Sequence, residues 1–155
     1  MAEFTNNAVQ TINPGETAIF LNNPVPCNRG FVRWRSGTGN FMLKGWVPNR
    51  TGCRCNQASA AIYLTEFGAN IAIPEGQEVG PISVAIALDG STIPSSTMIV
   101  TPAAVGQYFN ISCAVDANVF RGCCETLTVR NTSSIPILMQ NANIIFSRPD
   151  LAVTY

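Results

Sequence analysis

Short apolar segments separated by Pro, Gly and Asn recur along the whole chain and restrict its fold more than any other feature. Within most segments, apolar and polar residues alternate, and β-branched and aromatic side chains are frequent, which is typical of half-buried β-strands. The residues between segments favour turns, and Asp89-Gly90 predicts a hairpin turn. The predicted strands are 8–12, 18–21, 30–35, 41–46, 60–73, 82–88, 97–100, 108–120, 126–131 and 137–148.

These segments predict an all-β fold. Only the first part of 60–73, AAIYLTEF, could form a helix, and Gly68 with the IAI pattern after it favours a strand there too. About ten short strands in one domain, residues 1–155, indicate a sandwich or a barrel. Because the strands differ in length and several connections are long, the sequence favours a single-domain jelly-roll sandwich over an up-and-down barrel.

The chain carries very little charge. Of its 155 residues, 12% are charged and 46% hydrophobic, and the formal net charge is zero. A globular domain has about 25% charged residues, so we expect other protein to cover much of this surface, most simply in a homo-oligomer. The neutral balance disfavours nucleic acid as a partner. No run reaches the roughly 18 apolar residues that would suggest a membrane span.

The first residues, MAEFTNNAVQT, show no basic region followed by an apolar run. This predicts synthesis in the bacterial cytoplasm without a signal peptide, and any outside location would then be reached by assembly or lysis. Six cysteines are many for a chain that stays in a reducing compartment. Together these features suit a component that is assembled inside the cell and exposed later.

No residue set in the sequence predicts an enzyme. The chain has no histidine, so Ser-His-Asp and Cys-His catalytic arrangements are excluded. The acidic residues are dispersed and form no calcium-loop pattern. No glycine-rich phosphate loop is present either. We therefore predict no catalytic residues, no cofactor and no metal.

The cysteines are predicted to be structural thiols or disulfides. Their spacing lacks the paired C-x-x-C pattern of zinc sites and of redox centres. Neighbouring residues on a strand point to opposite faces, so Cys123 and Cys124 would differ, with one thiol packed or bridged inward and the other pointing outward. Six cysteines allow 15 pairings, and the connectivity stays open. The six are Cys27, Cys53, Cys55, Cys113, Cys123 and Cys124.

Two tryptophans, Trp34 and Trp46, fall on adjacent predicted strands. Aromatic residues dominate buried cores and interfaces, which is the favoured interpretation here. Exposed rings with polar neighbours would instead form a carbohydrate platform, and that alternative stays open.

Several segments resemble a group of small proteins encoded in the genomes and prophages of gut Firmicutes. The segments are NNAVQTI, NRGFVRWRSGTGNFMLKGW, GANIAIPEGQEVGPISVAIALDG, STMIVTPAAV, FRGCCETLTVRNTSS and QNANIIF. The group looks like jelly-roll domains of the tumour-necrosis-factor (TNF) and complement-globular-head type. Related jelly rolls form the C-terminal heads of collagen-like spore-surface glycoproteins, but this sequence contains no Gly-X-Y repeat.

The resemblance implies a compact homotrimer, packed about a threefold axis by flat apolar faces. By analogy, the predicted seam residues are Tyr63, Phe67, Phe109 and Ile111. The resemblance supplies no catalytic residues.

The leading hypothesis is a trimeric structural protein of a bacteriophage virion, which decorates the capsid or forms a head fibre. Its partner would be a capsid protein. One alternative is a spore- or cell-surface component whose subunits are cross-linked by cysteines, Cys124 first among them. A third is a carbohydrate-binding jelly-roll module that uses Trp34 and Trp46.

Overall fold

The computed structural model describes residues 1–47 and 59–151. Within them it contains strands, two short 3-10 helices (Pro94–Ser96 and Pro149–Leu151) and no α-helix, so the all-β prediction is confirmed. The strands are β1 (Ala2–Asn6), β2 (Gln10–Ile12), β3 (Asn22–Val25), β4 (Val32–Trp34), β5 (Phe41–Lys44), β6 (Ala60–Ala72), β7 (Ile82–Leu88), β8 (Ser91–Thr92), β9 (Met98–Val100), β10 (Phe109–Phe120), β11 (Cys124–Asn131) and β12 (Ile137–Ser147). None of the helices in the described ranges has the length and apolar character needed to cross a membrane.

The strands form two antiparallel sheets of six strands each. The first sheet has the order β10-β6-β12-β1-β3, with β2 also pairing with β12. The second has the order β4-β5-β11-β7-β8, with β9 also pairing with β7. Strands from opposite ends of the chain are neighbours, since Ala2 of β1 pairs with Phe146 of β12. This arrangement is a jelly-roll sandwich.

Aromatic side chains fill the space between the sheets. Phe4 of β1 lies 4.8 Å from Phe41 of β5, and Phe41 lies 5.1 Å from Phe146 of β12, measured between ring centroids. All three rings are buried. Large aromatic side chains stabilise a core through the apolar area they remove from water, so this cluster joins the two sheets at their centre.

The observed strands differ from the predicted ones in several places. Segment 18–21 alternates as a strand does, but it passes from one sheet to the other: Ala18 N–H donates to Val129 in the second sheet, and Leu21 N–H donates to Thr5 in the first. Its regular pairing is limited to isolated bridges. Conversely, β1 and β3 were not predicted, because AEFTN is a short segment near the chain start and NNPV has the composition of a turn.

The hairpin turn at Asp89-Gly90 is confirmed. It joins β7 to β8, where Leu88 pairs with Ser91. Both central residues have positive φ, 47° at Asp89 and 84° at Gly90, as a two-residue type I′ turn requires. The Asp89 carboxylate also accepts a hydrogen bond from the Thr126 N–H at 2.7 Å, which fixes the turn to β11.

Candidate functional site

The outer face of the first sheet carries acidic and apolar side chains. On β6 and β10, residues alternate between buried and more exposed positions. The outward positions include the apolar Ile62, which is 37% exposed, and Phe120, which is 64% exposed. They also include Glu66 and Asp116, and Glu3 points the same way on β1. We call this surface the acidic face, since no outward position of the described first-sheet strands holds Lys or Arg.

The predicted seam residues are not on the acidic face. Tyr63, Phe67 and Ile111 are each at most 4% exposed within a single chain and belong to its core, so their assignment to a seam between subunits is wrong. The prediction placed these residues on strands correctly. Because side chains alternate along a strand, however, these three point into the core and not outward. Phe109, at the start of β10, is half-buried, and its place in a seam stays a prediction.

A group of exposed arginines lies along the opposite side of the sandwich. Arg29 precedes β4, Arg33 lies within it, and Arg35 follows it. Strand β4 is the edge of the second sheet and lies over β1, because Trp34 contacts Phe4 with ring centroids 5.0 Å apart. The far strand of the first sheet, β10, instead lies near β9. We call Arg29, Arg33 and Arg35 the basic edge, which is separate from the acidic face.

A second feature is a stack of side chains near the end of β5. The Arg148 guanidinium lies between two rings, with its central carbon 4.8 Å from the Tyr63 centroid and 5.0 Å from the Phe31 centroid. The Trp46 ring stacks on Phe31, with a centroid distance of 5.6 Å and an angle of 23° between the ring planes. The stack therefore runs from the buried Tyr63 to the exposed Trp46.

Polar bonds hold this stack in place. Arg148 forms an ion pair of 2.6 Å with Asp150, and its Nη2 also donates to the Trp46 carbonyl at 3.0 Å. The Tyr63 hydroxyl donates to the Lys44 carbonyl at 2.7 Å and lies 3.1 Å from the Phe31 carbonyl. Burial raises the pKa of Tyr63, against the opposing effect of Arg148. The stack could not be predicted from the sequence, because Arg148 is distant in the chain from Phe31, Tyr63 and Trp46.

The two tryptophans have different environments. Trp34 is half-buried, packs against Phe4 and donates its Nε1–H to the Thr38 carbonyl at 3.1 Å. Trp46 is 53% exposed. Trp34 therefore belongs to the core and cannot serve as an exposed carbohydrate platform, whereas Trp46 presents its ring to solvent.

The four described cysteines are free. Cys27 and Cys113 are half-buried, and burial raises the pKa of the Cys113 thiol. Cys123 and Cys124 are both exposed, so the expectation that one of them is packed or bridged inward is wrong. The reason is that Cys123 lies before β11 and Cys124 is the first residue of β11. The alternation of side chains between two faces does not apply at this point of the chain. Cys53 and Cys55 lie outside the described residues.

Within residues 1–47 and 59–151, no three Cys, Asp or Glu side chains come close enough together to hold a metal ion.

Comparison with known proteins identifies the fold. No protein-family model and no curated protein matches this sequence. Two similar solved structures are the globular domain of a zebrafish complement 1qA protein and the TNF Eiger from S. frugiperda. The first is 10% identical, covers 95% of this chain and 97% of its own, and has a TM-score of 0.59. The second is 13% identical, covers 99% and 93%, and has a TM-score of 0.61. This chain therefore has the jelly-roll fold of the complement 1q and TNF type.

Proposed function

We propose that this protein is a non-enzymatic structural protein that assembles as a homotrimer and serves as a bacteriophage virion component, either a capsid decoration or a head fibre. The observation that supports the assembly is that one chain carries an acidic face and a basic edge on different sides. The role in a virion rests on the resemblance to small prophage-encoded jelly rolls.

The two surfaces are complementary in charge. In a closed ring of three subunits, each interface joins two different patches, one from each neighbour. Glu66 and Asp116 of one subunit would then meet Arg29, Arg33 or Arg35 of the next. Complementary charge fixes partner and orientation more than it adds affinity. It also disfavours the alternative in which two acidic faces meet in a twofold dimer.

Apolar contacts would supply most of the binding free energy. Ile62 and Phe120 are exposed on the acidic face, and each square ångström of apolar surface removed from water contributes about 25 cal/mol. Small and polar residues lie beside them, since Phe120 pairs with Ala60 and Ile62 with Asn118. Short side chains of this kind permit close packing of another chain without large side-chain rearrangement.

The test replaces one apolar residue of the acidic face by a cation. Ile62→Lys places a positive charge where the proposed partner surface is also positive, and we expect the native mass to fall from that of a trimer to that of a monomer, 16.6 kDa. Ile99→Lys is the matched control, since Ile99 is 65% exposed on β9 of the other sheet. Light scattering after size exclusion measures the masses. A trimer that persists in Ile62→Lys contradicts the proposed interface.

The role in the virion has a separate test. Phage particles purified from a culture of the source bacterium should contain this polypeptide in mass spectrometry, in stoichiometric ratio to the capsid protein. Its absence from those particles would contradict the virion role and leave the trimer untouched.

A second candidate function is a spore- or cell-surface protein whose subunits are joined by disulfides. The exposure of both Cys123 and Cys124 favours it, because these thiols are accessible to another chain. A non-reducing gel of native material would then show species larger than the monomer, and replacement of both residues by Ser would remove them. A uniform monomer-sized band contradicts this candidate.

A further inference from the structure

We propose that the pocket beside Trp46 binds a carboxylate-bearing sugar such as a hexuronic acid. The pocket has a volume of about 440 Å³ and is lined by Arg29, Gly30, Phe31, Lys44 and Trp46. Its lining belongs to one chain, so this proposal goes beyond the assembly proposed above. Only Arg29 also belongs to the basic edge, and the test therefore varies Lys44 and Trp46, which do not.

The first argument is the rigidity of the aromatic wall. Trp46 is more than half exposed, yet its ring stacks on Phe31, and Phe31 covers the Arg148 guanidinium. The Arg148 side chain is 5% exposed and is held by Asp150. A solvent-exposed ring that is fixed from behind loses little conformational entropy when a ligand packs on it. The wall can therefore hold the apolar face of a sugar ring.

The second argument is the charge of the pocket. Among the described residues of its lining, Arg29 and Lys44 are the charged ones, and both are cationic. Arg148 lies behind the wall, where Asp150 neutralises it. Lys44 is the only lysine of the chain. Guanidinium and ammonium groups form their strongest hydrogen bonds with carboxylate or phosphate, so the pocket suits an anion.

The third argument distinguishes a sugar acid from a nucleotide. The lining side chains offer donors only, since Arg and Lys have no acceptor. The carbonyls of Lys44 and Trp46 already accept hydrogen bonds, from Tyr63 and Arg148 respectively. Recognition of a base edge needs acceptors as well as donors. A sugar acid can be bound by donors alone, because its carboxylate and ring oxygen only accept and its hydroxyls can accept as well, which favours the sugar acid.

The test is calorimetric titration of the full chain with a galacturonic acid trimer, up to about 10 mM, where even weak sites are detected. The methyl ester of the same trimer keeps the sugar rings and removes the charge, and adenosine monophosphate is the nucleotide probe. We expect the acid trimer to bind and the ester to bind at least tenfold more weakly. No binding of the acid, equal binding of the ester, or binding of the nucleotide alone overturns the proposal.

Variants locate the site. Trp46→Ala should weaken binding of the acid trimer by about tenfold, the magnitude of an aromatic stacking contact. Lys44→Gln should weaken it as well and reduce its dependence on salt. The matched controls are Tyr108→Ala, a 38% exposed ring just before β10, and Arg130→Gln, a cation of β11 outside the pocket and outside the basic edge. Unchanged binding in both Trp46→Ala and Lys44→Gln overturns the proposed location.

Discussion

At the scale of single residues, Tyr63 connects the core to the surface. Its ring is fully buried and its hydroxyl bonds to the backbone next to β4 and at the end of β5. When a buried carbonyl loses its hydrogen-bond donor, the folded state is destabilised by the free energy of removing that carbonyl from water. Tyr63 thus supports both the second sheet and the stack that ends in Trp46.

Tyr63→Phe should lower the free energy of unfolding by about 1–3 kcal/mol, because it removes the donor and keeps the ring. Denaturant titration at pH 7 measures this change. Tyr108→Phe is the control, since Tyr108 is 38% exposed. Equal midpoints for Tyr63→Phe and the parent protein would contradict the assigned role.

The same residue predicts the alkaline pH dependence. Burial raises the pKa of Tyr63 in the folded state, whereas it is about 10 in the unfolded state. The contribution to stability is therefore fully present below about pH 10 and is lost as pH rises towards the folded pKa. The parent protein should lose more stability than Tyr63→Phe above that pH, and parallel curves would contradict it.

Thiol accessibility gives another prediction at this scale. In the native protein, Cys123 and Cys124 should react with an alkylating reagent before Cys113, because Cys113 is half-buried and its raised pKa keeps the thiol protonated. Peptide mapping by mass spectrometry at intervals measures the order. Denatured protein, in which Cys113 reacts as readily as the others, is the control. Equal rates in the native protein would contradict this placement.

At the scale of elements, the sequence predicts strand positions well where alternation is long. Strands β6, β7, β10 and β12 fall within a few residues of their predicted bounds. Alternation does not say which set of side chains faces the core, and this is why Tyr63 and Phe67 were placed in a seam. It also cannot show that 18–21 crosses between sheets, since that depends on hydrogen bonds to β1 and β11.

The end of β5 depends on a close approach between backbones. A Cβ at Gly45 would lie 2.0 Å from the Phe120 carbonyl oxygen and 2.7 Å from that of Cys123. Gly45 also exchanges hydrogen bonds with the β10–β11 turn, through Cys123 and Gly122. The absence of a side chain at Gly45 therefore allows the backbones of β5 and of the β10–β11 turn to contact each other next to Trp46.

Gly45→Ala should destabilise the fold by about 1–3 kcal/mol, because a methyl group there forces the backbones apart. Gly80→Ala is the matched control, since a Cβ at Gly80 meets nothing within 4 Å. Thermal unfolding of both variants measures the difference. Equal melting temperatures would show that β5 and the turn do not meet as described.

At the scale of the whole molecule, both the composition and the distribution of surface charge favour association between subunits. The low charged fraction predicts association, and the structure places three of the acidic residues on the acidic face and three of the arginines along the basic edge. Neither surface could be located from the sequence, because each collects residues that are distant in the chain. The Trp46 pocket could not be predicted from the sequence either, since its aromatic wall depends on the contact between Arg148 and Phe31.

The most direct measurement is the native mass of the parent protein, by light scattering after size exclusion, with and without reductant. The account predicts a discrete species of about 50 kDa, three times the chain mass of 16.6 kDa, in both conditions. Large species that collapse on reduction would instead favour the disulfide-linked surface protein. A monomer in both conditions would contradict the assembly on which the account rests.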